Sequence, residues 1–447
     1  MKKTRQFDLW VWISITIMAV YILFMVYPIV KMSLQSFFDA ETGAFTFANY
    51  LKFFRDTYYF STLLNSFKLS IMVTLLSLVL GVPLAYFYNI YKIKGHNTLQ
   101  ILIILCSMSA PFIGAYSWIL LLGRGGVITK LLQSALHITA PNIYGLTGCV
   151  FVLTLKLFPL VFLYVSGAMK NMDNSLLEAS YNMGCTGFKR LYKVVIPLCS
   201  PSILAAGLMV FMRALADFGT PLLIGEGYRT FPVEIYKQFV GETSVNHNFA
   251  AAISVIAILI TALVFILQKI AASKLNFTMN ALHPIEAKKA KPLTGALIHI
   301  YAYVLVAFSL LPQFYVVYLS FRNTSLTGNM FKPGYSLKSY QQIFTDMGGM
   351  IKNTIIICGG ALLIILVMAV MIAYLVVRRR NVMNNIIDTF SMVPYIIPGS
   401  VIGIALIISF NKGILVLTGT AVIMVIAMVI RRIPYTIRSS VAVLQQI

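Results

Sequence analysis

The chain is short of charged side chains, and above all of acidic ones. Only 11% of its 447 residues are charged, and 13 Asp and Glu stand against 35 Lys and Arg. Hydrophobic residues make up 59% of the chain and the mean hydropathy is +0.85, whereas soluble domains are about 45–50% apolar and about 25% charged. Because water cannot solvate so much apolar surface, we expect an all-α polytopic transmembrane bundle, in which helices satisfy every backbone polar group.

Cysteine pairs and catalytic motifs are also missing. The five cysteines show no CxxC spacing and mostly lie in apolar runs, so they are interpreted as small buried hydrophobes. The glycine-rich stretch Gly123–Lys130 lacks the Gly-Lys-Ser/Thr ending of a phosphate-binding loop. No HExxH or GxSxG motif occurs. We therefore predict no catalytic residue, no metal site and no cofactor on this chain.

The excess of basic residues amounts to a net charge of +22. These residues are scattered between apolar runs instead of forming a basic patch, which argues against nucleic acid as a partner. Most of them fall in alternate loops, on the side that would hold the N-terminus. By the positive-inside rule this bias predicts a cytoplasmic N-terminus and orients the chain in the bilayer.

Apolar runs long enough to cross a bilayer, about 20 residues each, predict ten spans. They lie near residues 9–30, 62–90, 99–122, 146–169, 200–225, 249–270, 294–319, 353–377, 386–410 and 414–433.

An internal repeat divides the chain. The run from Asn65 to Ala85-Tyr86 matches the run from Asn353 to Ala373-Tyr374, and Lys156…Pro159 matches Arg431-Arg432…Pro434. We predict a first half of six spans at 1–270, a polar cytoplasmic linker at 271–293 and a homologous second half at 294–447. The second half holds four spans, so about ten of an expected twelve are present, and a C-terminal truncation is favoured over a degenerate second half.

The polar loop at 173–197 carries the most specific motif. Glu178-Ala179 is followed by Gly184 and then by Val194-x-Ile196-Pro197, between two apolar runs on the predicted cytoplasmic side. This pattern resembles the EAA loop of permeases of binding-protein-dependent ABC importers, at full spacing. No second copy of the loop follows the second half.

The resemblance implies the type I ABC importer permease fold and a set of partners. In that family the loop forms a short helix that docks on a separate ATPase subunit. The implied coupling residues are Glu178, Ala179, Gly184 and Pro197, with Asn174 or Ser175 as the helix cap. The implied partners are two ATPase subunits, which carry ATP and Mg²⁺, an extracytoplasmic substrate-binding protein and the lipid bilayer.

A second motif combines charge with helix-breaking residues. Arg213 and Asp217 are four residues apart, which predicts a shared helix face, and Gly219 and Pro221 follow. Charges inside a bilayer usually pair or line a hydrated path, so both a structural ion pair and a pathway or gate remain open. Lys156 is expected to extend towards the lipid headgroups. The string from Ala216 to Gly225 resembles permeases of the iron(III)-type importer group.

The predicted function is therefore the permease subunit of an ATP-driven importer in a bacterial cell membrane, with ferric iron as cargo. Thiamine, 2-aminoethylphosphonate and a polyamine are alternative cargoes. An ion-coupled secondary transporter is a further alternative, although few intramembrane acids are available for ion coupling.

Overall fold

The computed structural model describes residues 9–108, 111–138, 142–241, 246–274, 283, 285–324 and 331–445. The chain divides into two compact units. The first comprises Met1–Phe60, Glu234–Leu263 and Tyr340–Ile447, and the second comprises Ser61–Val233 and Val264–Ser339. Residues 275–282 and 284 of the predicted linker lie outside the described residues.

Helices dominate the described residues, in agreement with the predicted all-α class. The elements up to residue 170 are α1 Leu9–Tyr21, α2 Tyr27–Gln35, α3 Ala48–Arg55, α4 Thr57–Ile90, α5 His96–Ser107, α6 Pro111–Leu122, α7 Val127–Ala135 and α8 Leu146–Lys170. The next are α9 Asn174–Asn182, α10 Gly187–Arg190, α11 Ile196–Leu198, α12 Ser200–Leu215, α13 Gly219–Ile224, α14 Phe231–Val240 and α15 His247–Lys274. The last are α16 Pro292–Ser320, β1 Arg322–Thr324, β2 Phe331–Tyr335, α17 Lys338–Asp346, α18 Gly348–Arg378, α19 Val382–Ile396, α20 Gly399–Phe410 and α21 Ala421–Leu444. Two π-helical turns, Ile22–Val26 and Leu191–Val195, join α1 to α2 and α10 to α11.

The core of the second unit is built where α4, α5, α8, α12 and α16 meet. Its largest fully buried side chains include Tyr88, Leu99, Phe158 and Phe162. A Cβ atom added at Gly81 of α4 would lie 2.6 Å from the Cβ of Val161 in α8. The missing side chain therefore lets these two helices approach closely, as small residues do between helices in membranes.

The core of the first unit joins α1 and the following π-helical turn to α18, α19 and α21. Tyr21 and Met25 are buried in the same apolar cluster as Ala369 and Ile433. The hydroxyl of Ser14 donates a buried hydrogen bond of 2.8 Å to Oδ1 of Asn384. If α1 slid along α19, this hydrogen bond would be lost and a buried polar group would be left without a partner. The bond therefore fixes the register of α1 against α19.

The compact units cut across the sequence repeat. In the first unit, the opening helix of the first half packs on helices of the second half. In the second unit, α16, which opens the second half, donates hydrogen bonds to the first half: Tyr301 Oη to the Leu80 carbonyl at 2.7 Å and Ser309 Oγ to the Leu155 carbonyl at 2.9 Å. The division into halves at 1–270 and 294–447 stays a prediction about the repeat, since packing follows other boundaries.

Seven helical segments among the described residues are long and apolar enough to span a membrane, or nine if two sharply bent pairs each count as one span. The region expected to span at 99–122 is interrupted between α5 and α6, where Pro111 opens a new helix. In the region expected at 414–433, α21 begins only at Ala421 and contains Arg431 and Arg432, which lower its hydropathy. The count of ten stays a prediction.

Among the described residues, the one pair of β-strands forms a small antiparallel sheet. Strands β1 and β2 pair Asn323 with Lys332 and Thr324 with Phe331. Two short strands leave the all-α class unchanged.

The close approach of α4 and α8 makes Gly81 sensitive to substitution. We expect Gly81→Val to lower the free energy of unfolding by about 1–3 kcal/mol through overpacking. The matched control is Gly167→Val in α8, where an added Cβ meets no atom within 4 Å. Thermal unfolding of the detergent-purified variants measures both, and equal stability of the two would contradict the packing described.

Candidate functional site: the loop between α8 and α12

A short helix, α9, forms the centre of the loop that carries the EAA-like motif. The chain leaves α8 at Lys170, and the carboxylate of Asp173 accepts a hydrogen bond of 2.9 Å from the backbone N–H of Ser175. Asp173 is therefore the helix cap, and the expectation of Asn174 or Ser175 was wrong by one or two positions. All three residue types can cap, so the sequence alone could not choose among them.

One face of α9 anchors it to the second unit. Leu177 and Ser180 are buried, and so is Met172 just before the helix. The backbone N–H of Asn174 donates 2.9 Å to the carbonyl of His283. Isolated helices shorter than about 12 residues are marginal in water, so these contacts hold a nine-residue helix in place.

The opposite face is exposed and largely apolar or small. Glu178 and Ala179 lie on it, and Glu178 Oε1 accepts 2.8 Å from the side-chain amide of Asn174. Four large apolar or aromatic side chains are exposed around the loop: Leu176, Tyr181, Met183 and Tyr192. Met183 is the most exposed of the four, at 81%. We call these four residues and Ala179 the exposed face of the loop.

Gly184 ends α9 in a left-handed turn. Its φ is +73°, and its N–H donates 2.9 Å to the Tyr181 carbonyl, while the N–H of Cys185 donates 2.8 Å to the Ser180 carbonyl. This pair of hydrogen bonds is the Schellman motif, which favours glycine because a side chain at this φ is strained. The chain reversal expected at Gly184 is therefore present.

Pro197 follows at the other end of the loop. It lies in α11, the three residues that continue the π-helical turn Leu191–Val195. The segment Leu191–Leu198 then meets α12 at a bend of 74°. Of the four residues predicted to act in coupling, Glu178, Ala179 and Gly184 thus cluster around α9, and Pro197 marks the bend.

The second candidate region lies at the break between α12 and α13. Helix α12 ends at Leu215, so Asp217 lies beyond it and does not share a helix face with Arg213. That expectation was wrong, because the spacing rule holds only inside a continuous helix. Arg213 is exposed, whereas Gly219 and Pro221 are buried in α13.

Asp217 pairs instead with Lys156 of α8. The Lys156 Nζ atom lies 3.2 Å from Asp217 Oδ2, and Asp217 Oδ1 accepts 2.9 Å from the backbone N–H of Thr220. Both side chains are mostly buried, 20% and 12% exposed. Lys156 therefore does not reach towards headgroups as expected. The Asp217 carboxylate binds the Lys156 ammonium group more closely than the headgroups could. The sequence alone does not predict this contact, because it does not show which helices pack together.

No group of three or more His, Cys, Asp or Glu side chains that could hold a metal ion occurs within the described ranges. The exposed face of the loop offers a surface that can contact a protein, and the second region offers an ion pair.

Residues 77–277 match the family described as the binding-protein-dependent transport system inner membrane component. This match covers 201 of the 447 residues and, with the relatives that follow, identifies the chain as a permease. The matched range contains the whole loop from Asp173 to Pro197 and both members of the Lys156–Asp217 pair.

Curated relatives of the permease include two ferric transport proteins. A ferric transport system permease protein of Haemophilus influenzae is 26% identical over 95% of this chain and 67% of its own length. That of Actinobacillus pleuropneumoniae is 25% identical over 97% of this chain and 63% of its own length. The permease thus spans about two thirds of the length of these relatives. A spermidine/putrescine transport system permease protein of Salmonella typhimurium is 26% identical over 62% of this chain and 97% of its own.

A solved structure gives independent support for the fold. A bacterial ABC transporter that imports the polysaccharide alginate aligns with a TM-score of 0.52 at 14% identity, over 60% of the permease and 96% of that chain. This similarity confirms the predicted fold class.

The pairing of Lys156 with Asp217 can be measured with a double-mutant cycle. We expect Lys156→Met and Asp217→Asn to show a coupling free energy of about 1–2 kcal/mol, because each change removes the other residue's partner in a mostly buried setting. The quantity measured is the unfolding free energy of the purified permease.

The matched control replaces Lys156→Met by Arg213→Met in the same cycle. Because Asp217 lies beyond the end of α12, we expect the effects of Arg213→Met and Asp217→Asn to add within about 0.5 kcal/mol. Coupling to Arg213 and none to Lys156 would contradict the assigned pair.

Proposed function

We propose that the chain is the transmembrane permease subunit of an ATP-driven importer, and that the α9 loop is where it receives force from an ATPase. The observation that carries this proposal is the α9 loop itself. A capped nine-residue helix is anchored on one side and presents exposed aromatic and thioether side chains on the other. Aromatic residues and methionine are enriched in the cores of protein interfaces.

The exposed face suits a protein partner better than a lipid surface. The loop lies on the predicted cytoplasmic side, and small residues at Ala179 and Gly184 leave room for close approach. In the proposed assembly two ATPase subunits bind below the membrane, and ATP and Mg²⁺ stay on them. This chain then needs no cofactor and has no catalytic residue of its own.

An external substrate-binding protein is the second proposed partner. Import by alternating access requires ATP and the loaded binding protein to favour different states of the permease, since a ligand shifts an equilibrium only through differential affinity. The lipid bilayer is the third partner. We place the permease in a bacterial cytoplasmic membrane with its N-terminus inside.

Ferric iron is the proposed cargo, supported by two relatives that are named as ferric transport permeases and align over nearly the whole chain. A polyamine is the second candidate, because a spermidine/putrescine permease aligns over 62% of the chain. Thiamine and 2-aminoethylphosphonate remain alternatives without a relative among these three. The binding protein, more than this chain, determines which cargo is delivered.

The region around Lys156 and Asp217 is the proposed pathway or gate, together with Arg213, Gly219 and Pro221. A cavity of about 20 Å³, room for about one water molecule, lies beside the pair and is lined by Trp118, Lys156, Thr220 and Gln313 among others. The Thr220 hydroxyl is buried there and has no hydrogen-bond partner among the described residues. A hydrated ion pair at a helix break can open and close without exposing bare backbone to lipid.

Two ion pairs weigh against an ion-coupled secondary transporter. Such a transporter needs an intramembrane acid that can exchange a coupling ion or proton. Asp217 is paired with Lys156, and Asp388 lies 3.3 Å from Arg438. Neither of these acids is left as an unpaired ion-binding group.

Substitutions at Gly184 test the importer function. We expect Mg-ATPase activity to co-purify with the tagged wild-type chain from native membranes. Gly184→Ala should lower that activity roughly fivefold, because a left-handed conformation costs a non-glycine residue about 1 kcal/mol or more. Gly184→Asn should retain more activity, since asparagine tolerates this conformation.

Gly43→Ala is the matched control, because Gly43 also has a positive φ, +65°, and open space for a Cβ, but lies far from the α9 loop in sequence. Its co-purifying activity should equal that of the wild type. The proposal fails if the wild-type chain brings down no ATPase activity, or if the Gly43 and Gly184 variants lose it equally.

A further inference from the structure

One phenol links the α9 loop to the membrane-spanning helix α4. Tyr86, near the C-terminal end of α4, is almost fully buried, at 1% exposed. Its hydroxyl donates a hydrogen bond of 3.1 Å to the Gly187 carbonyl and accepts one of 3.3 Å from Nε of Arg190. Gly187 and Arg190 are the first and last residues of α10, so a single oxygen atom contacts both ends of that turn.

Arg190 is an unusual residue to bury. It is 8% exposed, and among the described residues no carboxylate forms an ion pair with it. A buried charge is costly unless hydrogen bonds compensate it, so the Tyr86 hydroxyl is a constrained partner, not an incidental one. Displacing α10 must break these hydrogen bonds or move α4.

The segment that follows α10 is anchored in the apolar core. Leu191 and Val195 of the following π-helical turn are buried. The α10 turn is therefore held on the C-terminal side of the residues that contact Tyr86.

Helix α4 can carry a displacement further. It is 34 residues long with Pro83 inside it, and its Gly81 lies against Val161 of α8, the helix that also bears Lys156. A shift at Tyr86 acts on this contact about one and a half turns away.

We propose that Tyr86 and Arg190 are positioning residues that transmit displacement of the α9 loop to α4. This inference rests on the proposed function, because it names the residues through which the proposed coupling acts. Neither residue is proposed to contact the ATPase or the cargo.

The sequence repeat supplies a matched control. Tyr374 of α18 occupies the position equivalent to Tyr86, but its ring packs against Trp10, with centroids 4.5 Å apart. Tyr86→Phe and Tyr374→Phe remove the same atom at equivalent positions, and only the first removes the bonds to α10.

The test measures amide hydrogen exchange of the purified permease–ATPase complex with and without trapping by Mg-ATP and vanadate. In the wild type we expect trapping to change exchange in residues 174–190 and in the α4 end, residues 82–90. In Tyr86→Phe the change at 174–190 should persist while the change at 82–90 falls at least twofold. Tyr374→Phe should match the wild type.

A second variant protects the test against a folding defect. Arg190→Lys keeps the charge but has no Nε donor, and should reduce the α4 response in the same direction. Unfolding midpoints of all variants are measured alongside, because a merely structural role would lower stability and leave the relation between the two responses unchanged.

The outcomes distinguish a failure of this inference from a failure of the proposed function. A wild-type complex in which trapping alters 174–190 but not 82–90 overturns the inference and leaves the importer function standing. So does an unchanged α4 response in both Tyr86→Phe and Arg190→Lys. If trapping alters neither region in the wild type, or no ATPase co-purifies, the proposed function itself fails.

Discussion

The constraint on which the rest of this structure depends is that hydrocarbon offers the backbone no hydrogen bonds. Continuous helices meet it at every residue, which is why long apolar helices make up most of both units. Each interruption must then be satisfied by side chains or by turn geometry. The break between α12 and α13 is an interruption of this kind, and Asp217, which pairs with Lys156 and accepts a hydrogen bond from the Thr220 N–H, satisfies it.

The second requirement is that the short helix α9 is anchored to the rest of its unit. A short helix transmits force only if it is fixed to the helices that are to move. Leu177 and Ser180 bury one face of α9, His283 receives the N–H of its first residue, and Tyr86 holds the α10 turn that follows. The exposed face, with Met183 and Tyr192, is the surface proposed to contact the ATPase.

The sequence predicted the parts of this arrangement that depend on local chemistry. Hydropathy gave the all-α membrane class, and the Glu178-Ala179…Gly184 spacing located the loop that the structure folds into a capped helix. The sequence did not predict which distant residues form pairs. The spacing of Arg213 and Asp217 suggested a shared face, but α12 ends between them, and Lys156 proved to be the partner of Asp217. The local sequence around Tyr86 and around Arg190 does not predict their hydrogen bond, because 104 residues separate them.

The central claim, that the exposed face of the α9 loop docks on an ATPase, is tested most directly by site-specific photocrosslinking in membranes. A benzophenone amino acid replaces Met183, and in a parallel sample it replaces Tyr335, an exposed residue of β2 between the predicted spans at 294–319 and 353–377, on the side opposite to the α9 loop. The account predicts an ATPase adduct from position 183 and none from position 335. An adduct from position 335, or none from position 183 in a complex that retains ATPase activity, would contradict it.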